Sequence, residues 1–111
     1  MKRIFGFAVL AGIAAAAPAS ASDASPANPT SLFAMGSGAV LFSQSGSRTA
    51  TPTCHTISQR WAIDASTPAG QARLSVLLTA FALHKQIAVH GAGICSVWPD
   101  TETVDYFYVI D

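Results

Sequence analysis

Few residues of this chain have the type and spacing that chemistry requires, and most of them are more simply explained as structure. The three histidines, His55, His84 and His90, share no HxH or HxxxH spacing, and no carboxylate lies within four residues of His84 or His90. A zinc site needs three or four such ligands brought together, so no metal is expected. His55 follows Cys54, an arrangement that can generate a thiolate, but pairing Cys54 with Cys95 removes the nucleophile. No serine stands in a nucleophile-elbow pattern. Gly91-Ala92-Gly93 opens like a dinucleotide fingerprint, yet Ser96 fills the third glycine position and no helix follows to receive a pyrophosphate. A bend or bulge is the simpler reading. Asp100, Glu102 and Asp105 could supply the two carboxylates of a glycosidase, but acids clustered on a loop are more often there for solvation. The chain is therefore read as a non-enzyme without cofactor.

That acidic loop is better suited to binding. Trp98 offers a flat apolar face on which a sugar ring can stack, while Asp100 and Glu102 can accept hydrogen bonds from its hydroxyls. The competing reading is that Trp98 is packed beside Cys95, as an indole next to a disulfide usually is.

The amino terminus sets the compartment. Lys2 and Arg3 precede an apolar run from Ile4 to Ala17, and Pro18-Ala19-Ser20-Ala21 closes it with an A-x-A site. This is the layout of a secretory signal peptide, and the run is too short and too rich in small residues for a transmembrane span. Cleavage is expected after Ala21, with Ala19 as the near alternative. Removing residues 1–21 leaves 90 of the 111 residues, enough for one small domain and no membrane insertion. That mature part holds six acids and four bases, a formal charge of −2. A nucleic-acid partner is disfavoured, because phosphate binding needs a basic footprint. In a secreted or periplasmic domain of this size an even cysteine count predicts a Cys54–Cys95 disulfide, with two free buried thiols as the alternative.

The elements that must position these groups follow from the apolar pattern. Residues 22–30, with two prolines and small side chains, read as a flexible leader, and the domain proper spans 31–111. Leu32 to Met35 and Ala39 to Phe42 are two strands around a glycine turn. Ser43 to Thr53 is a polar stretch, either a loop or an extra hairpin. Gln59 to Asp64 is a third strand, and Thr67-Pro68 caps a helix that runs to about His84. Leu74, Leu77, Leu78 and Phe81 form its core stripe. Ala72, Val76 and Leu83 lie on the opposite side, which implies either a subunit contact or tolerated surface aliphatics. Gln86 to His90, with Ile94 to Val97 as its continuation past a glycine bend, is the fourth strand. Thr103 to Ile110 is the fifth, with Val104, Tyr106, Tyr108 and Ile110 on one face.

The resulting order, β-β-β-α-β-β, is an α+β, mainly β layout that fits a five-stranded OB-like barrel with its helix between strands three and four. The residues Cys54, Trp61-Ala62-Ile63-Asp64, Thr67-Pro68-Ala69-Gly70, Leu77-Leu78-Thr79-Ala80, Lys85, Gly93 and Cys95 resemble a family of small secreted proteobacterial proteins of unsettled role. That family is in turn similar to the receptor-binding B subunits of AB5-type toxins. The resemblance covers about Cys54 to Asp111. It implies an OB-fold, a ring-shaped homo-oligomer, glycan binding and an enzymatic A subunit as partner, and it carries over no sugar-binding residue. The reading is a secreted or periplasmic binding module for a glycan or an envelope or host protein. The alternative is a stand-alone periplasmic protein that inhibits or stabilises another envelope component.

Overall fold

The computed structural model describes residues 21–111, so the segment read as a signal peptide, apart from Ala21, lies outside the described residues. Its elements are β1 (Asp23–Ala27), β2 (Pro29–Ala34), β3 (Ala39–Gln44), β4 (Arg60–Asp64), α1 (Pro68–Ala82), β5 (Gln86–Gly91) and β6 (Val104–Ile110). The strands form two three-stranded antiparallel sheets, ordered β1-β5-β6 and β2-β3-β4. This corrects the five-stranded OB-like barrel expected from the pattern. Among the described residues there are six strands rather than five, the helix follows the fourth, and no barrel closes. A parallel bridge joins Ala62, in the middle of β4, to Thr103, the residue before β6.

The extra strand comes from the residues read as a flexible leader. Asp23 and Ala24 pair with His90 and Val89, and Ala27 pairs with Ile87. Ala24 and Ala27 are small enough to be buried against β5. Pro26 falls where the register shifts between Ala24 and Ala27, a place where the missing N–H costs no ladder bond. The outer edge of β1 is covered by the polar stretch after β3, through Ser25 N to Ser47 O and Thr49 N to Asp23 O, both 2.9 Å. That stretch is a loop with one isolated bridge, Ala24 to Arg48, and contains no further hairpin. Asn28 alone separates β1 from β2, so the chain passes from one sheet to the other within one residue.

Between the sheets and α1 lies a core of Phe42, Trp61, Ile63, Leu77, Ile87, Val89 and Val104, with Leu32, Leu74 and Phe107 packed against it. Phe42 and Phe107 meet edge to face at 6.2 Å between centroids. Gln44 can be buried among these apolar groups because both its hydrogens and its carbonyl oxygen have partners. Its Nε2 donates to Ser25 O (2.6 Å) and Ile87 O (2.7 Å), and its Oε1 accepts from Gly46 N (3.0 Å).

The helix begins as the sequence predicts: Thr67 Oγ1 accepts from Gly70 N at 3.0 Å, and Pro68 occupies the first turn. Gly70 is required there, since a Cβ would lie 1.6 Å from Asp64 O. The buried line runs through Gly70, Leu77 and Ala80, with Leu74 partly covered. Leu78 and Phe81, expected in the core stripe, are exposed, because the tight approach at Gly70 turns the helix toward its small residues. At the far end Lys85 N reaches Ala80 O and His84 N reaches Phe81 O, a Schellman closure with His84 in the left-handed region at φ 55°.

Two further differences concern the strands around the acidic loop. Beyond Gly91 the chain bends and does not resume a strand over Ile94–Val97. In β6 the partners are His90 with Tyr106 and Gly91 with Val104, which leaves Asp105 as an extra residue. A bulge of this kind reverses the side-chain alternation. Val104 therefore enters the core while Tyr106 and Tyr108 point away from it. The Asp105 carbonyl accepts from Arg73 Nε of the helix at 2.7 Å.

Candidate functional site

The structure disperses the three residues of the acidic loop. Trp98 is half-buried and bridges to Thr101. Asp100 pairs with Arg60 Nη2 at 2.6 Å and accepts from the Thr101 hydroxyl at 2.9 Å. Thr101 and then Arg60 hold its carboxyl below the usual carboxylate range. Glu102 has no exposed surface. Cys54 and Cys95 are joined in a disulfide that ties the loop before β4 to the loop before β6.

Glu102 is instead a structural hub. Its Oε1 accepts from the Ser22 hydroxyl and from Arg48 Nη2 (3.0 Å), and its Oε2 accepts from Ser22 N (3.1 Å) and Gly93 N (2.9 Å). A buried carboxylate is tolerable when it is both paired and saturated with donors. Gly91 makes the room, since a Cβ there would lie 2.0 Å from Glu102 Oε2. Arg48 spends its remaining nitrogens on Ser22 Oγ (3.1 Å) and Arg60 O (2.9 Å), and its guanidinium lies 3.5 Å over the Trp61 ring.

His55 completes this hub from the other side by accepting the Glu102 backbone N–H at Nδ1, 2.9 Å away. The neutral imidazole then carries its hydrogen on Nε2, which is buried without a hydrogen-bond partner. Burial, and after it the Arg48 charge, lowers the His55 pKa. The unfolded chain then binds more protons than the folded one below about pH 6.5. The stability held by neutral His55 is complete above that value and is lost as pH falls through the lower folded pKa. Denaturant midpoints are expected to decline from pH 7 to pH 5, and His55→Gln should flatten that part of the profile. An unchanged slope in the variant would contradict the assignment.

Beside the hub, Arg48, Thr49, Thr51, His55, Thr56, Ser58 and Gln59 line a polar cleft of about 510 Å³. Its charged wall is already engaged by the fold, and Thr49 Oγ1 is taken by Asp23 N at 2.8 Å.

The surface with unspent binding capacity is the outer face of the β1-β5-β6 sheet. Tyr106 is 51% and Tyr108 57% exposed, two residues apart on β6. Tyr108 stands opposite the small Ala88, and Tyr106 stands opposite His90, on which it stacks at 4.9 Å and 26°. His90 Nδ1 in turn meets the Asp23 carboxylate from β1. Together they shape a shallow depression of about 350 Å³. The sequence shows the Tyr-x-Tyr alternation, but it gives no sign of the bulge that turns both rings outward or of the β5 neighbours that frame them.

The three residues proposed for a subunit contact are all exposed. Ala72 and Val76 line an apolar groove of about 200 Å³ with Arg73, Tyr106 and Phe107, while Leu83, 61% exposed, lies outside it near the helix end. Among the described residues no three His, Cys, Asp or Glu side chains converge on a metal position, and no helix is long and apolar enough to cross a membrane. No protein-family model matches the chain, and no curated protein or solved structure is significantly similar to it.

Proposed function

We propose that the protein is a non-catalytic binding module of the periplasm or extracellular space, that its ligand is a glycan, and that the ligand sits on the outer face of the β1-β5-β6 sheet. The signal segment and the disulfide support the compartment. The observation that carries the ligand class is the exposed Tyr106 and Tyr108 pair beside Asp23 and His90. Tyrosine rings stack on the C–H faces of sugars, and their hydroxyls, with the Asp23 carboxylate, can exchange hydrogen bonds with a sugar's hydroxyls. The acidic mature chain disfavours phosphate-bearing polymers.

A glycan array with the mature protein tests this. Tyr108→Ala is expected to weaken binding by about 1–3 kcal/mol, taking the base-stacking range as an upper guide, whereas Trp98→Ala should spare it. Retained binding in Tyr108→Ala would move the site elsewhere, and absence of any glycan ligand would sink the class.

A second reading, a homo-oligomer, is favoured by the Ala72–Val76 groove and by the exposed Leu83. Light scattering should then give a mass above that of one chain, and Val76→Lys with Leu83→Lys should return the monomer without unfolding it, since charge in an apolar contact opposes association. A monomeric wild type would remove this reading, and with it the toxin-like ring and its enzymatic partner.

A further inference from the structure

Ser22 is fully buried although its neighbour Ala21 is exposed. Each of its polar atoms is held. The nitrogen lies 3.1 Å from Glu102 Oε2, the hydroxyl donates to Glu102 Oε1 and accepts from Arg48 Nε, and the carbonyl accepts from Gly91 N at 2.8 Å. The A-x-A site in the sequence independently puts signal cleavage at the bond that joins these two residues.

We infer that cleavage between Ala21 and Ser22 creates an ammonium already in place to ion-pair with Glu102, so that processing completes the buried charge cluster. Water adds to the Ala21 carbonyl carbon and the C–N bond breaks. Ala21 leaves as a carboxylate, and the Ser22 nitrogen takes up protons to become the ammonium. Before cleavage this nitrogen offers Glu102 one neutral N–H. Afterwards the same atom carries a full positive charge, so a hydrogen bond from a neutral donor to the carboxylate becomes an ion pair. Loss of the exposed Ala21 opens the nitrogen's other side to water. The second cation does not compete with Arg48, which reaches the opposite oxygen, Oε1. The other charged or titratable groups around the site are His55, on the Glu102 backbone, the Arg60–Asp100 pair beyond it, and the Asp23–His90 pair on the outer face. Cleavage after Ala19 would leave Ser22 as an amide and put the charge on Ser20, two residues earlier in the chain.

The test compares three forms of the mature chain: one beginning at Ser22 with a free amino group, one beginning at Ser22 but N-acetylated, and one beginning at Ser20. The acetyl group occupies the place of the exposed Ala21 acyl group, so it removes charge without crowding the core. Denaturant unfolding is followed from pH 6 to pH 10. Pairing raises the α-amino pKa above its unfolded value of about 7.7–8.0, so the extra stability is complete below that value and is lost as pH rises through the folded pKa. A rise of about one unit corresponds to a folding constant about tenfold larger for the free Ser22 form at pH 7. The acetylated and Ser20 forms should lack this alkaline loss, and tyrosine and lysine titration, common to all three, cancels in the comparison. In Glu102→Gln the gap between free and acetylated forms should close. If that variant does not fold, the free-against-acetylated pH profile still decides. Equal midpoints for the free and acetylated wild-type forms at pH 7 would overturn the inference, as would a secreted protein whose first residue is not Ser22.

Discussion

Glu102→Gln is expected to destabilise the fold by about 3–5 kcal/mol, the cost of leaving one member of a buried ion pair alone. The carboxamide has nearly the shape of the carboxylate but one acceptor oxygen in place of two. Its NH2 must face either the Ser22 hydroxyl and Arg48 or the backbone N–H groups of Ser22 and Gly93. Donor then meets donor, and Arg48, over Trp61, loses its counter-charge. Urea unfolding measures the loss. Glu102→Leu combined with Arg48→Met, which removes both charges together, should recover a substantial part of it, since a buried pair replaced as a unit is often close to neutral. A loss below about 1 kcal/mol for Glu102→Gln would mean that the cluster is wet or loosely held.

Cys54→Ala is the second large effect, at about 2–5 kcal/mol. The bond closes a loop across a sequence separation of 41, which the chain-entropy account values at ~4 kcal/mol. Its local consequence matters as much. The stretch between β3 and β4 has no regular element of its own and carries Arg48 and His55 to the Glu102 hub. Releasing Cys54 from Cys95 frees that stretch from the loop that holds Glu102. Non-reducing mass spectrometry should find no free thiol in the wild type, and the variant's midpoint in urea should fall accordingly. Alkylation of both cysteines without prior reduction would refute the pairing.

β3, β4, α1, β5 and β6 lie close to where alternation, the Thr67-Pro68 cap and the glycines put them, because those signals are local. β1 was invisible because Asp23–Ala27 contains almost nothing to bury. It is a strand by virtue of backbone pairing with β5 and of two alanines whose smallness suits the contact. That added strand, and the crossing at Asn28, turn an expected barrel into two sheets. The binding loop illustrates a different limit. Trp98, Asp100 and Glu102 are neighbours in sequence, but Glu102 is claimed by Arg48 and Ser22, 54 and 80 positions away, and no local pattern announces such partners. The tyrosine face was half legible: the alternation showed, whereas the extra residue Asp105, which decides the direction of the rings, did not.

The buried amide of Gln44 bears on how the molecule opens. It belongs to the β2-β3-β4 sheet, yet both its hydrogens are given to carbonyls of the other sheet, at Ser25 and Ile87. If either sheet peels away, it strands a desolvated amide on one side and two carbonyls on the other, each costing about 1–3 kcal/mol. Half-open species are penalised from both directions. The two sheets are therefore one cooperative unit, and their slowest amide protons should exchange together through a single global opening.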